Sequence, residues 1–365
     1  MSPPSAIVVG AGVFGAATAD ALARRGWEVT VVERYAPANA RGSSGDRTRM
    51  LRLGHGSSPE AEWYTRSALR SLELWRELSG EWLEPLIAPC GLVWLAAEED
   101  ALIGDVAAGL EATGVPHEWL AGEALPELFP DLATGDLAGA LHEPGACILR
   151  AIPAVRALLE RARRNGARLR IGEARPTGPG EVAVEGEESA ADAVVWACGA
   201  WLGGLFPREA PVQAAWQDVL HWHCPPTWSE GPAWFDERAG IYGFPDVDGL
   251  GIKAVSHRPG RSFDLDRDER IPDRAAVREV ASYLERRFPA LGTPRLLHAR
   301  VMPYEMTPDE HFLAAPSAEL ERHWLLGGGS GHGFKHAPNL GEHVADLIEE
   351  KAEPLPQFAA GERGG

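Results

Sequence analysis

Ten residues near the start of the chain, Ala6-Ile7-Val8-Val9-Gly10-Ala11-Gly12-Val13-Phe14-Gly15, constrain the fold more than any other stretch. Ile7 to Val9 form an uncharged β-rich run, the pattern of a strand buried on both faces. Gly10, Gly12 and Gly15 fit the G-x-G-x-x-G spacing. The first allows a tight turn, the second lets a pyrophosphate approach the backbone, and the third lets helix and strand pack closely. Ala16 to Arg25 are good helix formers, with Gly26 as the stop, and a second strand, Val29 to Val32, runs into Glu33. The helix start, with free N–H groups and a partial positive charge, suits a pyrophosphate, and Glu33 suits a ribose hydroxyl. Strand, turn, helix, strand and acid in that order predict a dinucleotide site, against the alternative of a Gly-rich turn. The acid argues against a 2′-phosphate and so against NADP. FAD and NAD both remain open here.

With 365 residues, the chain is long enough for two domains or for one with a large insertion. Its net charge of −18 disfavours nucleic acid and anionic membranes as partners, while leaving room for a basic pocket. Cys90, Cys147, Cys198 and Cys224 show no C-x-x-C pair and no metal-ligand spacing, and read as reduced thiols. The N-terminus lacks the basic region of a signal peptide, and no apolar run reaches membrane-spanning length. These features predict a cytoplasmic protein without a metal. The Pro-, Gly- and charge-rich tail from Glu353 to Gly365 predicts loose order.

After Glu33 comes the loop Ala36 to Gly56, with Arg47, Arg49 and Arg52 among Gly and Ser. Solvated surface and contact with an anion or cofactor ring are both open readings. Ala61, Tyr64, Ala68, Leu72 and Trp75 predict a helix over Pro59 to Ser79, ended by Gly80. Gly91 to Ala96 read as a strand and Glu98 to Thr113 as a helix. Gly135 to Ile148 read as short strands and turns, and Ala151 to Asn165 as a helix. Strands follow at Arg168 to Ile171 and at Ala193 to Ala197, the latter running into Cys198-Gly199-Ala200. From Val212 to His257 strand-like runs contain Trp216, Trp222, Trp228 and Trp234, which fill a sheet core or wall an apolar pocket. A helix covers Asp273 to Arg287. A last buried strand, Trp324 to Leu326, leads into Gly327-Gly328-Gly329-Ser330-Gly331-His332-Gly333-Phe334-Lys335 and a helix over Asn339 to Glu350. This second Gly-rich strand-to-helix turn favours a flavin, because an isoalloxazine must be held as well as a pyrophosphate.

In these motifs the sequence resembles the sarcosine oxidase branch of the D-amino-acid-oxidase superfamily, which are FAD-dependent amine oxidoreductases. The matching stretches cover nearly the whole chain: the G-x-G-x-x-G with Glu33, Thr48-Arg49-Met50-Leu51-Arg52, Tyr242-Gly243-Phe244-Pro245, Lys253 with His257, Asp309-Glu310-His311-Phe312, and Ser330 to Lys335. The resemblance implies an α/β chain in which a Rossmann-like FAD-binding domain (1–88, 147–205 and 291–365) is interleaved with an antiparallel-sheet α+β substrate domain (89–146 and 206–290). It implies a monomer.

The resemblance also implies the site. FAD would be held by Gly10, Gly12, Val13, Phe14, Gly15, Glu33, Arg34, Ser43, Ser44, Thr48, Arg49, Gly199, Trp201, Gly331, His332, Gly333, Phe334 and Lys335. Arg49 would lie against the flavin ring and Lys253 beside its N5, favouring reaction with dioxygen. Arg52 and Lys335 would hold a substrate carboxylate, with Tyr304 also on the substrate, and Tyr242 and His257 would border it. For His257 and His332 an orienting role and an ordinary structural one are both open. The implied reaction takes a hydride from an amino or imino acid with a secondary, N-alkyl or cyclic, amine, and gives imine and hydrogen peroxide. The alternatives are a flavin dehydrogenase or imine-forming tailoring enzyme with another acceptor, and a flavin-binding protein without catalysis. Two positions depart from the pattern. Met302 stands where relatives with covalent FAD carry cysteine, so a non-covalent cofactor is expected, and Gly45 stands where close relatives carry histidine.

Overall fold

In the computed structural model, which describes residues 2–56, 60–97, 100–129 and 132–361, the strand Ser5–Val9 lies inside a six-stranded sheet. The order is Leu313–Pro316, His323–Gly327, Ala193–Trp196, Ser5–Val9, Glu28–Glu33, Arg168–Ile171. All neighbours are parallel except the first pair. The helix Val13–Arg24 follows at once and is buried from Val13 through Ala23. Its alanine-rich sequence lets other elements approach from several sides. A Cβ at Gly341, on the helix Ala337–Ile348, would lie 2.6 Å from the Ala17 backbone, so the two helices touch main chain to main chain. On another side Asp20 takes a two-pronged ion pair from Arg161 of the helix Ala151–Arg164, at 2.9 and 2.7 Å. An aspartate inside an otherwise apolar helix is tolerated because its charge is neutralised by a fork of matching geometry.

The second layer is an eight-stranded sheet in the order Leu296–Met306, Gln213–Trp222, Ile252–Ser256, Ile241–Phe244, Ala233–Asp236, Leu92–Ala96, Gly139–Glu143, Glu118–Ala121. It is antiparallel except where Ala233–Asp236 runs parallel to Leu92–Ala96. Alternation gives the sheet two faces. On Leu92–Ala96, Leu92, Trp94 and Ala96 join the core shared with the nucleotide-type layer. Val93 and Leu95 face the opposite core, with Trp222, Trp228, Trp234, Phe129, Phe288 and the helix Arg274–Arg287. Three of the four tryptophans of 212–257 thus fill a sheet core, and Trp216 packs on Phe263 in a smaller cluster. None of the four lines a wall of the large cavity described below. A mixed α/β chain built on a mainly parallel and a mainly antiparallel sheet is the expected fold class.

Leu296–Met306 pairs along its length with Gln213–Trp222. We therefore propose a domain boundary after Met306 rather than before Leu291, since this strand belongs by hydrogen bonding to the antiparallel sheet. Local differences from the sequence expectations have simple causes. Gly80 does not end its helix, which runs Ala61–Glu81. The buried stripe of Tyr64, Ala68, Leu72, Trp75 and Leu78 fixes the helix and outweighs the roughly 1 kcal/mol cost of an exposed glycine inside it. The expected helix starts at Pro59 and Glu98 lie outside the described residues, and their helices run Ala61–Glu81 and Ala101–Ala112. The last helix starts earlier than expected, at Ala337, with Pro338 in its first turn where a missing N–H costs nothing. The tail is anchored as far as Gly361. Phe358 is fully buried against Trp63, ring centroids 4.7 Å apart, and the Gly361 N–H donates to Glu209 O at 2.8 Å.

Candidate active site

The carboxyl ends of the parallel strands open onto a cavity of about 270 Å³ lined by Gly10, Gly12, Glu33, Arg34, Gly172, Gly199 and Trp201, among others. Such a crevice is the usual ligand position in an open parallel sheet. Gly10 has φ +106°, and a Cβ there would lie 2.2 Å from Ala197 O, so only glycine fits. Gly15 stands behind the cavity, where a Cβ would lie 1.9 Å from Gly10 O, and it serves the turn rather than the cavity wall. The helix start carries no side-chain cap on its Gly12 N-cap. The Val13 N–H donates to Ser44 Oγ at 3.0 Å, which brings Ser43 and Ser44 to the same wall. Glu33 is buried and accepts from the Ala11 N–H at 2.8 Å and the Tyr35 N–H at 2.9 Å. Arg34 sits at the rim, 3.4 Å from Glu173.

A second cavity of about 580 Å³ lies between the two layers. Its lining joins residues from both ends of the chain: Arg49, Arg52, Tyr242, Lys253, His257, Met302 and Tyr304, with the turn Gly331, His332, Gly333, Phe334 and Lys335. Thr48 lines neither cavity, and its carbonyl serves instead, accepting from Arg49 at 2.7 Å and from Lys253 at 3.3 Å. Within the arginine-rich loop Arg47 is exposed, while Arg49 and Arg52 reach the cavity. Gly45 has a structural reason, because a Cβ there would lie 1.9 Å from Asn39 O.

Besides Arg258, which is exposed, two sets of cations line this cavity. In the first, Lys253 Nζ and Arg49 Nη1 each donate to Asp46 Oδ2 at 2.6 Å, and Arg49 Nη2 donates to the Ser43 carbonyl. Arg49 also lies over the Phe334 ring at 5.7 Å, and Lys253 over Phe244 at 4.9 Å. Burial would raise the Asp46 carboxyl, but the Lys253 and Arg49 charges overcome it and hold it well below the usual carboxylate range. Burial pushes the Lys253 ammonium down to about 8, against the pull of Asp46.

In the second set, Lys335 Nζ donates to Arg52 O at 2.8 Å, and the Arg52 guanidinium lies over Trp94 at 4.9 Å and Phe235 at 5.7 Å. Burial, then the neighbouring Arg52 charge, drives the Lys335 pKa well below its ordinary value. Glu143 and Glu237 pull the other way on Arg52, whose pKa burial lowers.

Around these, Tyr242 and Tyr304 bring their hydroxyls to 3.5 Å. His257 Nε2 is 3.1 Å from Glu237 Oε2, and its ring tilts against Phe235 at 5.0 Å. His332 Nε2 meets Glu310 O at 3.0 Å, and burial pushes its pKa down to about 3, so its ring is neutral. His55 stacks on Tyr64 at 4.1 Å and approaches His332 at 5.0 Å.

A model of the family described as FAD dependent oxidoreductase matches residues 5–347. The chain belongs to that family. It is 29% identical over 364 residues, 96% of each chain, to a protein of Yersinia pestis (strain Pestoides F) named N-methyl-L-tryptophan oxidase. Its fold matches the crystal structure of L-proline dehydrogenase from P. horikoshii with a TM-score of 0.85 and 24% identity, covering 98% of this chain and 97% of the other. It also matches glycine oxidase from Geobacillus kaustophilus with a TM-score of 0.83 and 24% identity over the whole of both chains. The sarcosine-oxidase-like resemblance and the assignment as an FAD-dependent amino-acid oxidoreductase stand on these matches.

The residues present fit FAD. The turn at Gly10 admits no side chain and leads to a helix start with a glycine N-cap, Trp201 Nε1 and Glu305 Oε2 are buried on the cavity wall without a hydrogen-bond partner among the described residues, and the second cavity shares lining residues with the first. Sequence reasoning missed several residues here. Asp46 lay in view among the arginines, but its partner Lys253 is 207 residues away. Glu143 accepts from the Leu53 and Gly54 N–H groups and from Trp94 Nε1, and so shapes the Arg52 loop from within a distant strand. Glu305, Trp94 and Phe235 sit on strands whose pattern gave no sign of a cavity.

The Asp46 clamp should be measurable as stability. Asp46→Ala leaves Lys253 and Arg49 without their counter-ion and is expected to cost about 3–5 kcal/mol. Lys253→Met in the same background should recover part of it. Urea unfolding of the FAD-free protein measures both, and wild-type stability in Asp46→Ala would show that the clamp contributes nothing.

Proposed function

We propose that this enzyme oxidises the C–N bond of an amino acid bearing a secondary amine, N-alkyl or cyclic, and a free carboxylate, with dioxygen as acceptor and imine and hydrogen peroxide as products. The observation that carries this reading is the second cation set. Arg52 and Lys335 meet in one cavity, Lys335 is fully buried, and among the described residues neither makes an ion pair. Two like charges brought together, with no carboxylate in ion-pair contact among the described residues, favour an anionic ligand. A carboxylate answers both, since the planar guanidinium grips two oxygens and the ammonium adds a point charge. The name of the Yersinia relative supports a secondary amino acid. The ring faces of Trp94 and Phe235 beside Arg52 support an apolar or aromatic side chain.

Bound FAD would supply the hydride acceptor and the route of the electrons to dioxygen. The chain's own residues prepare the substrate. Arg52 and Lys335 fix the carboxylate. With Arg49 and Lys253 they make a cationic surrounding that disfavours a protonated amine, so the nitrogen is held with its lone pair free. Trp94, Phe235, Tyr242 and Phe244 keep water from the reacting carbon. No side chain need take the carbon proton, and the neutral His332 ring serves as a wall.

We also propose that FAD is held without a covalent bond. Met302 is buried with its sulfur 3.8 Å from Arg49 Nη2, and a thioether has no proton to lose. Cys198, which lines the smaller cavity, has its thiol pushed up by burial and is no thiolate nucleophile. Acid precipitation should therefore leave the yellow colour in solution. A pellet that keeps it, or a peptide carrying flavin mass, would refute the point.

Lys253 is assigned to the reaction with dioxygen, as a buried ammonium that can stabilise developing negative charge. Lys253→Met is expected to slow reoxidation of the reduced enzyme roughly 100-fold. In wild type the rate should fall as pH rises through about 8, where the ammonium loses its proton, while the variant stays slow and flat. Stopped-flow mixing with dioxygen measures both. An unchanged rate in the variant would return the reading to a dehydrogenase with another acceptor.

The carboxylate requirement is tested with an acid and its methyl ester, screened over N-methyl, cyclic and aromatic amino acids by flavin bleaching without oxygen. Wild type should prefer the acid, and Arg52→Ala should raise its half-saturating concentration by roughly 10- to 100-fold, the range for a lost charged hydrogen bond. The ester should be little affected. A wild type that takes both equally, or an acid-to-ester ratio untouched by Arg52→Ala, would overturn the clamp and reopen the substrate class to simple amines.

A further inference from the structure

Five residues, Val13, Phe14, Ser43, Ser44 and Glu305, line both cavities, so a molecule that runs from one into the other passes between them. Glu305 is the one ionisable side chain of the five. It lies near the end of Leu296–Met306, buried, with its carboxyl group beside the turns at Gly199 and Gly327 to Gly329. A Cβ at Gly199 or Gly327 would stand 3.6 Å from Oε2, and one at Gly329 would stand 2.8 Å from Oε1. Gly328 and Gly329 offer backbone N–H groups to the carboxyl group, while Oε2 has no hydrogen-bond partner.

Nothing cationic compensates this acid. Among the described residues no Lys, Arg or His pairs with it. The hydroxyls of Thr307 and Ser330 are engaged with each other at 3.1 Å. The titratable group facing it from the neighbouring turn is the Cys198 thiol, whose pKa is raised by burial and then by Glu33 and Glu305. Burial accordingly pushes Glu305 up to about 7, against the two backbone N–H groups. Asp46, equally buried, has two cations and stays ionised, which is the contrast that marks Glu305 out.

We propose that Glu305 meets the cofactor as a neutral carboxylic acid, donating a hydrogen bond from Oε2 to an oxygen of the FAD chain where it passes between the cavities, and that ionisation of Glu305 loosens the cofactor. This rests on the reading of both cavities as one FAD site. A protonated carboxyl group is a donor, whereas an ionised one is acceptor-only and repels the pyrophosphate held at the adjacent helix start. The sign follows from linkage. FAD binds the protonated form better, so binding takes up a proton above the pKa of the free protein, and affinity falls as pH rises.

The experiment titrates FAD into the FAD-free protein by flavin fluorescence between pH 5.5 and 9. For wild type the dissociation constant should be level below about pH 7 and rise toward 10-fold per pH unit above it. E305Q, a neutral donor of the same shape, should stay level across the range and within a few-fold of the low-pH wild type. Direct proton uptake on FAD binding to wild type, in weakly buffered solution, gives a measure that needs no variant. Uptake at pH 8 and none at pH 5.5 is expected. A level wild-type affinity, a pH dependence shared by E305Q, or no uptake at pH 8 would overturn the role of Glu305 while leaving FAD binding intact. Failure of wild type to bind FAD at any pH would overturn the cofactor site itself, and this role with it.

Discussion

The buried carboxylate of Asp46 is the interaction on which the geometry of the larger cavity depends. It belongs to the loop that follows the second strand of the parallel sheet, while Lys253 belongs to the middle of the antiparallel sheet. One oxygen receives both the lysine and Arg49. An unpaired charge at that depth would be intolerable, so the loop and the sheet can meet in few other ways. The clamp thereby sets where Arg49 lies over Phe334, and Phe334 stands on the second glycine-rich turn. Three segments far apart in sequence are brought into register by one acid.

The two sheets contribute different things to the space between them. The parallel sheet offers backbone: strand ends, glycines that admit close approach and a helix start. The antiparallel sheet offers side chains, because every second residue of its strands points to the shared face. Trp94, Phe235, Tyr242, Lys253, Met302 and Tyr304 all arrive this way, from five different strands. A surface assembled from one or two residues per strand is held by the ladders of the sheet, on both sides for the inner strands and on one side for the edge strand Leu296–Met306, and its chemistry can change without disturbing the fold.

That division explains what could be read in the sequence. The parallel layer was legible, because Gly10, Gly12, Gly15 and Glu33 sit within one continuous stretch whose spacing carries their geometry. Ser330 to Lys335 were legible for the same reason, and with them Lys335. Arg49 and Arg52 were visible as residues, yet nothing in the sequence separates them from the exposed Arg47, which simple alternation would place on the face of Arg49. The antiparallel face was much less legible. Period-2 alternation shows that a strand has two faces but not which one meets a cavity when both are apolar. The tryptophans drew attention for their size, whereas the ring over Arg52 is Trp94, one residue in a short run with nothing to distinguish it. Asp46 and Glu305 were invisible as a pair of opposites, since their states depend on neighbours brought in by the fold.

Besides the exposed Arg258, four cations line the larger cavity, and their differing surroundings assign them different work. Lys253 and Arg49 carry their counter-ion with them in Asp46, so their charge is part of the protein and is present whether or not anything is bound. Arg52 and Lys335 have no such partner. Glu143, the acid closest in effect to Arg52, spends its oxygens on the N–H groups of Leu53 and Gly54 and on Trp94. Burial and the Arg52 charge lower the pKa of Lys335. An anion entering beside it removes that penalty, so binding of the anion and protonation of Lys335 must favour each other. An anion thus strengthens the charge that receives it, which makes this pair a recognition element and the clamped pair a fixed electrostatic background.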